Sequence, residues 1–243
     1  MYFEYRFQLP DGQRMNTHTS GRKLLSWLRD QLPPAERFDL EIFNRTEEGP
    51  IDGLAPVRIG GTFREIVIYG VGEAGVSLLQ DNVEKISRLL TKHFGGCPGE
   101  RRRMDSCAIH EREDMLSYLL PICVFQRNNF DSYREAFQQS RFADPLILNK
   151  LRQTILSGIQ RQALMLQSDT PEFEIYNLSV ERLTPIEVKN GRFNLCAKAR
   201  FVAPVYMKGP WHVGHLCSRG FGQIFLERKH RTKVPENTEE VRG

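Results

Sequence analysis

Aromatic and polar residues alternate at the start of the chain. Tyr2, Phe3, Tyr5, Phe7 and Leu9 stand among charged and amide neighbours, and this pattern predicts a strand over residues 2–9. Pro10-Asp11-Gly12 ends it with turn chemistry. Behind a cap at Thr19 or Ser20, Leu24, Leu25, Leu28 and Leu32 recur at helical spacing, which predicts a helix to about residue 31, stopped by Pro33-Pro34. Phe38, Leu40 and Ile42 alternate with Asp39 and Glu41, so residues 37–44 are expected as a second strand. Residues 46–62, rich in Gly and Pro, are expected as loop, and residues 63–69 as a third strand. Val76, Leu79, Val83, Ile86 and Leu90 follow a 3,4,3,4 spacing and predict a helix over 75–93. Residues 101–113 are expected as a fourth strand, with Met104, Ser106, Ala108 and His110 on one face. The resulting order, βαββαβ, is the ferredoxin-like split unit, in which two helices cover one face of a four-stranded antiparallel sheet.

The second half repeats the order in architecture, though not in sequence. Residues 118–125 are an apolar strand interrupted by Pro121, which suggests an edge. A helical region follows, first over 130–140 and then from the Asp144-Pro145 start to about residue 167, with Leu148, Leu151, Ile155, Ile159, Ala163 and Leu166 as its apolar stripe. Two strands, 173–187 and 192–206, are joined by Lys189-Asn190-Gly191, a strong hairpin signal. A glycine-rich stretch then takes the place of a second helix, and a last strand is expected over 221–228. The fold class expected is α+β: tandem ferredoxin-like units over residues 1–113 and 114–243, with a helical insertion at 128–167 and a Gly-rich loop at 208–222.

That loop, Gly209-Pro210-Trp211-His212-Val213-Gly214-His215-Leu216-Cys217-Ser218-Arg219-Gly220-Phe221-Gly222, changes the functional picture. Successive exposed N–H groups in a glycine loop form an anion site, and Arg219 adds a planar donor fork. The ordinary alternative is a long turn between strands. Charge points the same way as the loop. The net charge is only +4, but 25 of the 34 basic residues are arginine, the side chain suited to phosphate and base stacking. An acidic partner, nucleic acid first, is therefore expected. The five cysteines are scattered with no CxxC pair, which argues against a disulfide framework or zinc knuckle and for a reducing cytoplasm. No apolar run is long enough to span a membrane, and no secretory signal pattern opens the chain. Gly70-Val71-Gly72-Glu73-Ala74-Gly75 has the outline of a dinucleotide fingerprint, but it lies in a ferredoxin-like order and Glu73 would repel a pyrophosphate. No His, Cys or carboxylate set has metal-ligand spacing, so neither metal nor cofactor is expected.

Gly214 to Ile224, with the Gly220-Phe221-Gly222 strand entry, resembles the C-terminal glycine-rich loop of the RAMP superfamily, the repeat-associated RNA-binding proteins of CRISPR systems. Within it the chain is most similar to endoribonucleases that process precursor CRISPR RNA. The large insertion suggests a divergent subgroup such as that of type IV systems. The resemblance implies metal-independent cleavage of a repeat stem-loop, giving a 2′,3′-cyclic phosphate and a 5′-hydroxyl, with the product retained among other CRISPR effector subunits. It equally accommodates a non-catalytic RAMP subunit that grips the guide RNA handle.

The family's catalytic histidine, where present, lies near the first helix, which here points to His18, with Arg22 and Lys23 following in the first helical turn. Some members cut without a histidine, and Arg29 and Arg37 could then join Arg22 and Lys23 on the phosphate. His18 could instead be a plain loop residue before a helix cap. For RNA binding, Arg101, Arg102 and Arg103 open a strand, and Arg127, Arg134, Arg141, Arg152 and Arg161 decorate the insertion, placed to follow an A-form stem by its backbone. Trp211, His212, Gly214, His215, Ser218, Arg219, Gly220, Phe221 and Gly222 complete the expected RNA surface. His212 and His215 are a rival catalytic pair, and Phe221 has a core reading as well.

Overall fold

The computed structural model describes residues 1–15, 20–49, 51, 55–96, 99–125, 133–135, 138–139, 142–189 and 192–227. Two four-stranded antiparallel sheets carry the chain. The first is built from β1 (Tyr2–Gln8), β2 (Val57–Thr62), β3 (Glu65–Val71) and β4 (Glu100–Asp105) in the order β2-β3-β1-β4. Two helices, α1 (Ser20–Asp30) and α2 (Gly72–Phe94), join its strands. The second sheet holds β5 (Ala108–Val124), β6 (Tyr176–Lys189), β7 (Arg192–Lys208) and β8 (Phe225–Leu226) in the order β6-β7-β5-β8. Helix α3 (Pro145–Leu166) stands between β5 and β6, and the glycine loop stands where a fourth helix would be. Both strand orders are those of a ferredoxin-like unit, so the tandem α+β fold is as expected.

Alternation along the first sheet explains how the halves meet. Phe3, Tyr5, Phe7, Val57, Ile59, Ile66 and Ile68 form one core with α1 and α2. The other face of the same strands carries Tyr2, Val67, Tyr69 and Val71. These join a second core with Ile147, Leu151, Ile155, Ile159 and Ala163 of α3, and with Trp211 and Val213 of the glycine loop. The second sheet packs its inward row, including Leu195, Ala197, Ala199, Phe201 and Val205, against the same helix. The layers therefore run from α1 and α2 through the first sheet to α3 and the glycine loop, and then to the second sheet.

Several expected elements are relocated. Residues 37–44 form no strand. Pro34–Glu36 and Leu40–Phe43 are 3-10 turns. The Asp39 N–H is taken by Asn82 Oδ1 of α2 at 2.9 Å rather than by a neighbouring strand, and Asn82 Nδ2 donates back to Asp39 Oδ2 at 2.8 Å. The second strand is instead β2, inside the stretch expected as loop, where Gly60-Gly61 interrupts the Val57/Ile59 alternation. The strand expected over 101–113 is two: β4 ends at Asp105, and β5 begins at Ala108 in the other sheet, so Met104 and His110 do not share a face. Pro121 does not mark an edge, because β5 pairs with both β7 and β8. It lies in the register shift between Leu120 and Cys123, where a missing N–H removes no ladder bond. The last strand shortens to Phe225–Leu226, preceded by an isolated bridge between His212 and Gln223. Of the helical piece at 130–140, only 133–135 and 138–139 are described, with helix at 133–135 and 138.

The Asp144 cap is as expected, with its carboxylate accepting from the Leu146 N–H at 2.9 Å. The hairpin is too: Lys189 pairs with Arg192 across a two-residue loop whose own residues, 190–191, lie outside the described set. The Gly70-x-Gly outline has a packing cause. A Cβ on Gly75 would overlap the carbonyl oxygen of Pro56, so glycine lets α2 sit close to the segment entering β2.

Candidate RNA interface at the seam of the two units

The first turn of α1 meets the glycine loop. Arg22 Nη1 donates to the Ser218 carbonyl at 2.9 Å, and Nη2 donates to the Phe43 carbonyl. Its guanidinium carbon lies 5.2 Å from the Phe43 ring centroid. Burial pushes the Arg22 pKa down to about 10, and the nearby Arg219 and Arg45 guanidinium groups add to the fall. Arg219, half-buried in the 3-10 turn Cys217–Arg219, is also lowered by burial. Among the described residues neither Arg22 nor Arg219 has a carboxylate in ion-pair range. Both remain cationic at neutral pH, so the seam holds two uncompensated guanidinium groups, with the exposed Arg45 beside them. Such a site favours an anion that takes planar, bidentate donors.

The loop itself is built differently from the expected row of exposed amides. Several of its N–H groups already have partners: Val213 to Gly222 O, His215 to Val124 O, Arg219 to Leu216 O, Gly220 to Cys217 O and Gly222 to Ile122 O, with Ile224 N–H just beyond bonded to Trp211 O, all between 2.7 and 2.9 Å. The loop folds back on itself, and Gly222 (φ +78°) is required there because a Cβ would overlap the Val213 carbonyl. The charged donors the seam offers an anion are the Arg22 and Arg219 side chains. Trp211, His212 and Phe221 are buried at 1%, 1% and 4% exposure, so Phe221 takes its core reading, and the Trp211 and His212 side chains, expected on the RNA surface, lie inside the protein. Trp211 Nε1 donates to the Lys208 carbonyl at 2.9 Å. Gly214, His215, Ser218, Gly220 and Gly222 shape the loop around Arg219, with His215 bridged to Val124.

A buried network ties this loop to both units. Arg58 of β2 is fully buried on the face of the first sheet turned to the second unit. Its Nη1 donates to Gln162 Oε1 of α3 at 2.5 Å and to His212 Nδ1 at 2.9 Å, while Nη2 has no hydrogen-bond partner among the described residues. Gln162 Oε1 also accepts from the His212 N–H at 3.1 Å, and Gln162 Nε2 donates to the Pro210 carbonyl at 2.9 Å. Because arginine can only donate, His212 Nδ1 is the acceptor and Nε2 carries the ring proton. Sequence patterning missed both Arg58 and Arg45. The alternation Val57-Arg58-Ile59 was the available signal for Arg58.

The other candidates fall into groups. Lys23 is exposed beside Arg22 in α1. Arg29 Nε donates to Phe38 O at 2.6 Å, and Arg37 Nε donates to Leu32 O at 2.9 Å, so both pin the connection after α1. Arg102 pairs with Glu100 and Glu84, and Arg103 with Asp105, whereas Arg101 has no ion pair among the described residues. Arg134 is exposed on the short helical fragment, Arg152 is exposed on α3, and Arg161 is exposed on α3 close enough to Cys217 to act on it electrostatically. His18, Arg127 and Arg141 lie outside the described residues. Among the described residues no group of three or more His, Cys, Asp or Glu is arranged to hold a metal ion, and no helix is long and apolar enough to cross a membrane.

Two ferredoxin-like units, the second closed by a self-bonded glycine loop against the first helix of the first, define the RAMP-type architecture of CRISPR-associated RNA-processing proteins. More narrowly, a family model described as type IV CRISPR-associated endonuclease Csf5 matches residues 2–230, and the chain belongs to that family. Similar solved structures include "Csf5, CRISPR-Cas type IV Cas6 crRNA endonuclease", at 19% identity and a TM-score of 0.64, covering 93% of this chain and 99% of that one. Two structures of Cas6b, one described as a CRISPR RNA processing endoribonuclease, match at 15% and 17% identity with TM-scores of 0.60 and 0.57, each covering 93% of this chain and 100% of the other. At these identities the likeness is one of fold. No curated protein sequence matches the chain.

Proposed function

We propose that the protein is a metal-independent endoribonuclease that cuts precursor CRISPR RNA at its repeat stem-loop and keeps the product within a CRISPR effector complex. The observation that carries this reading is the meeting of Arg22 with the Ser218-Arg219 turn, two cations that have no carboxylate in ion-pair range among the described residues. A scissile phosphate held there would have its non-bridging oxygens faced by both guanidinium groups, with Lys23 alongside. The upstream ribose 2′-oxygen attacks phosphorus in line and loses its proton to a base, for which His18 is the candidate. The P–O5′ bond breaks, and the 5′-oxygen takes a proton from a general acid or from water and leaves as a hydroxyl. The cations offset the extra negative charge of the phosphorane. Arg152 and Arg161 on α3, with Arg127, Arg134 and Arg141 ahead of it, are the proposed contacts to the stem backbone.

One observation favours a second reading, a non-catalytic subunit holding the guide RNA handle. Both terminal nitrogens of Arg22 donate to backbone carbonyls, as a purely structural arginine would. The readings separate on cleavage and affinity measured together. Under the first, His18→Ala and Arg22→Ala each lower single-turnover cleavage about 100-fold or more while stem-loop affinity changes only a few-fold. Unchanged cleavage in both variants removes this catalytic group, and a wild-type protein that binds without cutting establishes the second reading.

A further inference from the structure

A cavity of 290 Å³ opens at the same seam, next to the guanidinium pair but different in character. One wall is the first sheet, with Gly60, Thr62 and Tyr69; the other is the glycine loop and β8, with His212, Gln223 and Phe225. Gly220, which also lines it, directly follows Arg219 in the chain. The glycine loop therefore carries both the Arg219 turn and one wall of the cavity.

Its chemistry excludes phosphate. The cation on its wall, Arg6, is held by Glu4 at 2.7 Å and by Glu65 at 2.9 Å, and Glu65 itself lines the cavity. Two carboxylates against one guanidinium repel an anion. What remains is a mainly apolar slot at the small end of the range for ligand sites, sized for one ring system. Phe225, 44% exposed, offers an aromatic surface at this wall. Gln223 Nε2 donates to the Tyr69 hydroxyl at 3.2 Å, which fixes the amide and leaves Oε1 as an acceptor.

We propose that this cavity receives the unstacked base of a nucleotide adjoining the phosphate held by Arg22 and Arg219, and that Gln223 accepts from its exocyclic amino group, favouring adenine or cytosine over guanine or uracil. The proposal rests on the RNA-processing reading and adds a specificity-determining residue to it. Guanine also carries an amino group, but beside its N1–H rather than on the edge that adenine and cytosine share.

The test reads affinity rather than cleavage. Repeat stem-loop RNAs, made uncleavable by 2′-deoxy substitution, carry an abasic residue at one unpaired position at a time. One position is expected to lose about tenfold in affinity, the loss expected for one stacked base. At that position adenine and cytosine should bind several-fold tighter than guanine and uracil. Gln223→Leu should remove this preference while leaving affinity for the abasic RNA unchanged, and Phe225→Ala, on an exposed side chain, should weaken all four bases alike. Absence of any sensitive position, or a preference kept in Gln223→Leu, overturns the proposal. A protein that binds but does not cut leaves it standing, whereas failure to bind the stem-loop at all overturns the RNA reading with it.

Discussion

Gln162 joins three segments at the seam, and replacing it has a calculable cost. The side chain is fully buried. In Gln162→Leu, the Arg58 guanidinium, the His212 N–H and the Pro210 carbonyl each lose a partner. A buried neutral group left unsatisfied costs about 1–3 kcal/mol and a charged one more, so with partial relaxation the sum is about 3–6 kcal/mol. At about 2–4 °C per kcal/mol for a chain of this size, the melting midpoint should fall by about 6–24 °C. Gln162→Glu keeps both acceptors and places a carboxylate against a guanidinium that has none. It replaces the bond to Pro210 with an oxygen facing a carbonyl oxygen, a cost of about 1–3 kcal/mol that the new ion pair offsets, so its midpoint should stay within about 4 °C of wild type at about pH 7. The sign with pH follows. The introduced carboxyl, beside a cation, has a folded pKa below its unfolded value, so its contribution is present at neutral pH and is lost on acidification through the folded pKa. Differential scanning calorimetry on the three proteins decides the matter. A Leu variant within about 3 °C of wild type, or a Glu variant falling as far as the Leu variant, would refute the account of Arg58 as a charged, hydrogen-bonded latch.

Three further outcomes are expected. Arg219→Ala should reduce the salt dependence of stem-loop binding by close to one ion, about 0.7–0.9 in the slope of log K against log salt, whereas Arg103→Ala, whose cation is already paired with Asp105, should leave the slope nearly unchanged. Arg22, pushed down to about 10, loses its charge as pH rises through that value, so affinity for an uncleavable stem-loop should drop a further step there; Arg22→Gln should lack the step. Cys107, Cys123, Cys196 and Cys217 are buried and their thiols are pushed up by burial, Cys107 to about 11 and Cys196 to about 12. Peptide mapping after iodoacetamide treatment at about pH 8 should find all four unmodified in the native protein and alkylated after denaturation.

The helices were legible because each stripe is long and capped: the 3,4,3,4 spacing of α2 and the Asp144-Pro145 start of α3 leave few alternatives. The strands were legible where apolar residues alternate without interruption, as in β1, or run on continuously over a strand's length, as in β3. Alternation misled at residues 37–44, because Phe38 and Ile42 are equally well buried by a turn whose backbone is satisfied through Asn82. It was hidden in β2, where Gly60-Gly61 has no side chains to alternate. Glycine content announced the loop near the C-terminus but not its internal bonding. Whether a loop amide faces solvent or a carbonyl of Val124 or Ile122 depends on long-range contacts that local composition does not encode. Arg22 was visible as a basic residue in a first helical turn, while its contact with Ser218, 196 positions away, was not. Arg58 went unseen for a related reason, since a fully buried arginine facing a glutamine and a histidine has no local signature.

The central claim is that the seam between the two units cuts repeat RNA without a metal. The most direct measurement incubates the purified protein with an end-labelled repeat stem-loop in EDTA and maps the products. The account predicts a single cut at the base of the stem, leaving a 2′,3′-cyclic phosphate and a 5′-hydroxyl, abolished by one 2′-deoxy substitution at the nucleotide upstream of the cut. Tight, salt-sensitive binding with no cut, or cleavage that appears only when a divalent cation is restored, would contradict it.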